Sequence, residues 1–340
     1  MTQQVCLIPY LHGLGGMVSF QGKFIQGLEK FNVEYTFDLS DPRNDAILVI
    51  GGTRQVPQLL KAKKRGVRIV QRLNGMNWLH RVEKTPIKSW VRGETANMLL
   101  SFIRKSICER IIYQSEFSRW WWEDRQGILQ KPCQVIHNGI NLDEYSPAGP
   151  EKPPEDQYRI LMVEGHLSGL YSRGLDVASQ LVVMLQNMRK NPIELSIAGD
   201  VPETLKLHYQ QKYPDIIINW SGVIPQEQIP ALDRSAHLLY SADLNAACPN
   251  SVIEALACGL PVLAFDTGAL AELVKNDAGA VVPYGGNHWK LDPPDIPALA
   301  QAALPILEHN AAYRKAARQR AEEAFDLDDM TRAYLEVLLG

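Results

Sequence analysis

The sequence predicts an α/β protein built from two doubly wound, parallel-sheet domains that face a central cleft. Three observations lead there. Both halves of the 340-residue chain alternate short apolar runs with amphipathic stretches, the pattern of buried parallel strands and their covering helices. The length exceeds what one hydrophobic core ordinarily serves. Between the halves, "SPAGPEKPPEDQ" (146–157) gathers four prolines, two glutamates and an aspartate and offers nothing to bury, so it reads as a linker. The expected division is a first domain over 1–147, a second over 148–325, and a final helix over 326–340.

In the first half the predicted strands are "VCLIPYL", "VEYTF", "AILVIGG", "VRIVQ", "RIIYQS" and "QVIHNG". Each is a short run rich in apolar or β-branched residues, and the last four end in a turn former or a polar residue. Helical spacing covers 17–30, 54–65 and 94–107 between them. The second half repeats the scheme with "RILMVEG", "ELSIAGD", "IIINW", "HLLYSAD", "PVLAFD" and "GAVVP", and with helices at 174–188 and 203–213. In such sheets ligands sit beyond the carboxyl ends of the strands, so the loops there carry the chemistry.

Composition excludes several classes. Hydrophobic residues make up 46% and charged residues 21%, as in ordinary globular proteins. No apolar run reaches the roughly 18 residues of a membrane span. The start, "MTQQVCLIPYLHGLGG", lacks the basic region of a signal peptide. The five cysteines form no CxxC pair and fit reduced thiols, which points to a cytoplasmic location. Eight histidines show no HxxxH, so no metal is expected.

The net charge of −3 conceals an asymmetry. Residues 1–150 hold 20 Lys and Arg against 13 Asp and Glu, while the remainder holds 15 against 25. The basic clusters "KAKKRGVR" and "RKSICER" read either as solvated faces or as a surface that meets anionic lipid on the inner face of a membrane. In the stretch 96–107, Leu99, Leu100, Phe102 and Ile103 are expected inward, with Arg104 and Lys105 outward. No nucleic-acid partner is expected.

Three loops carry candidate chemistry. "HGLGGM" follows the first strand, and Gly15 and Gly16 there let backbone amides approach a ligand or simply make a tight turn. The spacing is not GxGxxG, since Val18 stands at the third glycine, which argues against a dinucleotide. In "EGHLSGLYSRGLDVA", Arg173 opens a helical pattern, and a guanidinium beside helix amides makes a phosphate clamp. In "ACPNSVIEALACGLPVLAFDTG", Asn250 or Ser251 reads as the N-cap of a helix that carries Glu254. Glu254 there is either a complement to the helix dipole or a ligand group. "DLD" (326–328) reads as a cap, and the tryptophans of "SRWWWE" as core.

Taken in order, "EGHLSGLYSRGLDVA", "LSIAGD", "SGVIPQEQIPALDRSAHLLYSAD" and "PNSVIEALACGLPVLAFDTGALAELV" resemble the family-four retaining glycosyltransferases of GT-B fold, glycosyl transferases group 1. "IYQSEFSRWW" and "VIHNGINLDEYSP" are similar to that family's preceding strand and interdomain segment. The resemblance implies two Rossmann-like domains, with the last helix packing back on the first. It implies transfer of a hexose from a UDP- or GDP-sugar to an acceptor alcohol of a glycan or glycolipid, without metal or other cofactor.

By the same resemblance, Glu254 holds the donor ribose and Arg173 the diphosphate, as the two catalytic positions. His166 stands where the family places its first phosphate-binding arginine, and Gly165 beside it is a further donor-binding candidate. Asn250, Ser251 and Val252 form the helix entrance that meets the diphosphate. Gly222 and Val223 meet the base, and Gly15 and Gly16 lie near the reacting sugar. The chain departs from the pattern at Ala246, where the family has an acidic residue eight before Glu254. "QRLNGMNW" lacks the family's histidine, and Asp243, three residues before Ala246, is a candidate substitute for the missing acid. These departures leave open a nucleotide-sugar-binding protein with little transferase activity.

Overall fold

The computed structural model describes residues 3–13, 15–167, 172–189 and 191–340. The chain divides into two compact units, one of residues 1–139 with 326–340 and one of residues 140–325.

The first unit is a six-stranded parallel sheet ordered β2-β1-β3-β4-β5-β6. Its strands are β1 (Gln4–Ile8), β2 (Glu34–Thr36), β3 (Ala46–Ile50), β4 (Arg68–Leu73), β5 (Arg110–Tyr113) and β6 (Cys133–Val135). β1 and β3 are fully buried along their length, which is why they read as unbroken apolar runs. One core cluster joins Phe20, Phe24 and Leu28 of the helix Gly16–Lys30 to Met330, Tyr334 and Leu338 of the helix Leu327–Leu339. A Cβ added to Gly27 would lie 2.1 Å from Thr331 Oγ1, so these two helices meet where a side chain is absent. Asp326 caps the last helix by accepting from the amides of Asp328 and Asp329. A separate cluster joins Ile47, Leu59, Ile103, Ile107 and Trp122.

Two expectations change here. The helix expected over 94–107 is the α-helix Ile87–Phe102 followed by a π turn over Ile103–Ile107. Arg104, expected outward, is fully buried: it donates to the Tyr113 hydroxyl and the Gly127 carbonyl and lies over Trp122. Phe102, expected inward, is exposed, and Leu99 and Leu100 are half-buried. The wider π turn rotates the residues beyond Phe102, which carries Arg104 into the core.

The second unit is another six-stranded parallel sheet, ordered β12-β11-β10-β7-β8-β9. Its strands are β7 (Tyr158–His166), β8 (Ile193–Asp200), β9 (Ile217–Gly222), β10 (Leu238–Tyr240), β11 (Val262–Phe265) and β12 (Gly279–Val282). The helix Arg173–Met188 shares a core cluster with the helix Ile296–Glu308 through Leu181, Leu185, Leu299 and Ala303.

The expected boundary at 147/148 lies instead at 139/140. Residues 140–151 are strapped to the second unit. The Ile140 amide donates to the Phe325 carbonyl, and Tyr145 is buried with its hydroxyl on the Gln226 carbonyl. Arg318 donates to the carbonyls of Leu142 and Tyr145, and Arg234 to the Ser146 carbonyl and the Glu151 carboxylate. Proline removes local donors, but side chains distant in sequence supply them.

Candidate functional site

From β7 the second unit winds to β8 and β9, then returns to β10 on the other flank of β7. The strand order reverses between β7 and β10, and the crevice beyond their carboxyl ends is where a sheet of this kind takes a ligand. Glu164, Gly165 and His166 end β7, and Ser241 to Pro249 follow β10.

β7 is irregular at this end. Its register with β8 shifts between Val163 and His166. Gly199, with φ +149, faces Glu164 so closely that a Cβ would lie 2.0 Å from the Glu164 carbonyl oxygen. Such a bulge re-aims the side chains after it. His166 Nδ1 lies 2.9 Å from Asp200 Oδ2, with both side chains more than half exposed. The imidazole is thus oriented by a carboxylate. Residues 168–171 of the quoted loop lie outside the described residues.

Arg173 opens the helix Arg173–Met188, whose N-cap Ser172 makes no side-chain capping bond. A Cβ on Gly174 would lie 2.5 Å from the Ala242 Cβ, so the first turn of this helix presses on the segment that follows β10. That close approach holds Arg173 beside the crevice. A cavity of about 330 Å³ adjoins it, lined by Arg173, Gln180, Tyr240, Phe265 and Tyr284 among others.

The helix carrying Glu254 runs Asn250–Ala257. Its N-cap is Pro249, not Asn250 or Ser251. Pro249 has the extended backbone of a cap while Asn250 is already helical, and the cap residue itself makes no side-chain capping bond. A helix entrance carries amide donors and the positive end of the helix dipole. Glu254 lies one turn in and is only 8% exposed. A dipole-complementing surface glutamate would stand in solvent; this one does not. Its charge adds to the burial that pushes up the carboxyl of Asp233 and the hydroxyl of Tyr145.

Gly222, with φ +70, ends β9 and is followed by exposed Val223. Gly165, His166, Gly222, Val223 and the Asn250–Glu254 turn therefore all lie at carboxyl ends of strands of one sheet, or in the loops directly beyond. Gly15 and Gly16 belong to the first unit, after β1, where Gly15 has φ 128 and caps the helix Gly16–Lys30. Leu14 between them and the strand is outside the described residues.

Sequence reasoning noted Asp243 but missed its partner at the crevice, Glu164. Burial holds the Asp243 carboxyl up at about 6, and burial with the charge of Asp243 pushes Glu164 well above the usual carboxylate range. Two carboxyls at the ends of adjacent strands thus compete for ionisation. Asn245, two residues on, has φ 58, is 3% exposed, and neither its amide oxygen nor its nitrogen meets a partner among the described residues. The only sequence signal was the polar spacing of "SADLN". Ala246 is held by its backbone: its carbonyl accepts from the Ala269 amide, and Gly268 packs where a Cβ would lie 2.6 Å from that same oxygen. Among the described residues no group of three or more His, Cys, Asp or Glu is placed to hold a metal, and no helix is long and apolar enough to cross a membrane.

Residues 150–324 match the family model described as glycosyl transferases group 1. The phosphatidylinositol N-acetylglucosaminyltransferase GPI3 subunit of Saccharomyces cerevisiae is 19% identical over 252 residues, 71% of this chain and 52% of that protein. The O-antigen chain mannosyltransferase B of Escherichia coli is 28% identical over 148 residues, 44% of this chain and 36% of that one. The chain thus spans about half the length, or less, of the curated relatives it matches. Among solved structures, sucrose-phosphate synthase from Thermosynechococcus elongatus superposes with a TM-score of 0.75 at 16% identity, over 98% of both chains. WaaG, a glycosyltransferase involved in lipopolysaccharide biosynthesis, gives 0.71 at 14%, over 99% of this chain and all of that one. Anabaena HepE in complex with UDP-glucose gives 0.68 at 16%, over 98% and 99%. At these identities the superpositions speak to the fold, which is GT-B. The family model covers more than half of the sequence and includes the whole crevice region between β7 and β10. The chain belongs to the glycosyl transferases group 1 family.

Proposed function

We propose that this protein transfers a hexose from a nucleotide diphosphate sugar to an acceptor alcohol of a glycan or glycolipid, with retention at the anomeric carbon. One observation carries the reading: a helix entrance with proline at its N-cap, and a buried Glu254 one turn behind it, lies beyond β10 at the switch point of the second sheet. The diphosphate meets the amides of Asn250, Ser251 and Val252, and the Glu254 carboxylate accepts from the ribose hydroxyls. Arg173, at the first turn of the neighbouring helix, adds a fixed cation. Its charge and the helix dipole oppose the charge that builds on the diphosphate as the sugar departs. Support for the donor class comes from HepE, whose structure holds UDP-glucose. The curated relatives are named for transfer to phosphatidylinositol and to O-antigen chains, which supports a lipid or glycan acceptor.

The phosphate leaving from the same face takes the acceptor proton, so retention needs no protein nucleophile at residue 246. Ala246 removes the acid that the family places there, and His166 is engaged by Asp200. These two facts favour a second reading, a nucleotide-sugar-binding protein with slow turnover. Incubation with a panel of UDP- and GDP-sugars and candidate acceptors, with detection of released nucleotide diphosphate, tests the first. Thermal stabilisation by donor without release would support the second.

A further inference from the structure

The cavity beside Arg173 lies inside the second unit, on the face of its sheet that the helix Arg173–Met188 covers. Arg173, Val177 and Gln180 line it at steps of four and three, so one stripe of that helix faces the space without filling it. Tyr240 at the end of β10, Phe265 at the end of β11 and Tyr284 beyond β12 supply aromatic rings. Phe265 and Tyr284 meet edge to face, with centroids 5.2 Å apart. Leu291, Pro293 and Ile296 close the far side. At about 330 Å³ the space is large enough for a small ligand.

The far wall is stiff. The Tyr284 hydroxyl donates to the Asp292 carbonyl at 2.8 Å, and the Asp295 amide donates to the Tyr284 carbonyl at 2.7 Å. Leu291, 8% exposed, has φ 60, a left-handed conformation that a bulky side chain rarely takes. Such strain persists where the surroundings fix it, and the prolines at 293 and 294 leave this wall little freedom to collapse inward.

The polar groups of the lining differ in what already engages them. Asp176 accepts from Tyr213 and Gln180 and pairs with Lys212. Asp292 is exposed and accepts from the Asn287 amide. Tyr240 is only 3% exposed, yet its hydroxyl makes no hydrogen bond among the described residues. Its ring lines the cavity, so a hydrogen bond is on offer inside a largely apolar space. Burial first, and Glu164 second, push this hydroxyl upward, so it stays a donor. Arg173, the exposed end of the helix stripe, places a cation at the rim. Aromatic walls, one buried hydroxyl and a guanidinium at the rim suit a flat ring that carries a hydroxyl and an anionic group.

We propose that this cavity binds a small hydroxylated aromatic acid, its ring within the aromatic walls, its hydroxyl on Tyr240 and its carboxylate at Arg173. The site itself does not depend on the transfer reaction, because its occupancy is measured with no donor present. A regulatory consequence rests on that reading: Arg173 also serves the donor diphosphate there, so the two ligands weaken each other, and by the same factor in both directions.

The test is calorimetric titration of the full chain with 6-hydroxy-2-naphthoate, with 2-naphthoate, and with UDP and GDP. The hydroxynaphthoate is expected to bind without nucleotide, and more tightly than the naphthoate that lacks the hydroxyl. Tyr240→Phe should erase that difference. Val177→Phe puts a ring into the space and should weaken the hydroxynaphthoate by at least about tenfold while leaving nucleotide affinity unchanged. Gln180→Trp, further along the same stripe, repeats the block should the first variant fail to fold. Glu254→Gln should do the reverse, weakening nucleotide and sparing the hydroxynaphthoate. No hydroxynaphthoate binding up to millimolar concentration, or binding that survives a folded blocking variant, overturns the site. A preference for the hydroxyl that survives Tyr240→Phe overturns it too. Loss of the probe in Glu254→Gln would place it in the donor crevice, and the proposal fails equally. In a chain that binds nucleotide, probe affinity indifferent to saturating nucleotide overturns the regulatory consequence. If neither UDP nor GDP binds, the donor reading falls instead, and the naphthoate titrations alone decide the site.

Discussion

Arg72 Nε donates to the Tyr334 hydroxyl at 3.1 Å, joining β4 to the last helix across 262 residues of chain. Both side chains are fully buried. The same guanidinium donates to the side-chain oxygens of Asn74, Gln114 and Asn138 and lies 3.6 Å from the centre of the Phe20 ring. Its charge is spread over four neutral oxygens and a ring face, an arrangement that suits a planar fork and not an ammonium. Arg72→Met removes all four of these bonds and should cost about 3 kcal/mol of stability. Tyr334→Phe removes one bond to a charged donor and should cost about 1.5 kcal/mol. Arg72→Lys should not restore the loss. Denaturant unfolding followed by tryptophan fluorescence measures all three.

Gly27 and Thr331 should be coupled in the same way. Gly27→Ala places a methyl against Thr331 Oγ1 and should destabilise by about 1–3 kcal/mol. In the Thr331→Ala background the same change should cost clearly less, and a double-mutant cycle reads the difference.

Arg173 and Glu254 should fail differently. On the proposed reading, Arg173→Ala would remove a charge-assisted phosphate contact of about 1.5–3 kcal/mol and should weaken free nucleotide diphosphate and intact donor alike. Glu254→Gln keeps the shape and loses the charge, so ribonucleotide affinity should fall more than that of the 2′-deoxy analogue. Calorimetric titration of the variants decides it; equal losses for both nucleotides would remove the ribose assignment.

The acid pair sets a pH dependence. Asp243 and Glu164 are held above their unfolded values, Asp243 at about 6. The stability they allow is therefore fully present below about pH 4 and is lost as pH rises through about 6 and beyond. Asp243→Asn should raise the melting temperature at pH 8 and leave it nearly unchanged at pH 4. A variant that melts lower at pH 8 would show that the ionised pair has a stabilising partner.

The two sheets were legible because their central strands are buried on both faces, so that "AILVI" and "RIIY" read as apolar runs without alternation. What failed was whatever depended on partners distant in sequence. The prolines of 146–157 signal a linker locally, but Arg234 and Arg318 strap the chain before and into that stretch to the second unit. Arg104 looks like a solvent residue until Tyr113 and Gly127 take its guanidinium. The helix entrance at residue 250 was legible, but Pro249 caps it, since sequence preference favours a polar cap and this helix has none. Glu164 escaped notice because a bulge, not a spacing, brings it to the crevice.

The return of the last helix to the first unit has a consequence for how the protein is made. Met330, Tyr334 and Leu338 complete the core that Phe20 and Phe24 begin, yet the whole second unit, residues 140–325, is synthesised in between. While the ribosome translates that stretch, the first sheet has all its strands but lacks the cover over the faces of Phe20 and Phe24. At about 5–20 residues per second, the interval lasts roughly 10–40 s. During it, the second unit can fold as a contiguous segment while the first, begun earlier, finishes later. The nascent chain therefore carries an exposed aromatic surface for a defined time, and that surface is where a chaperone would act.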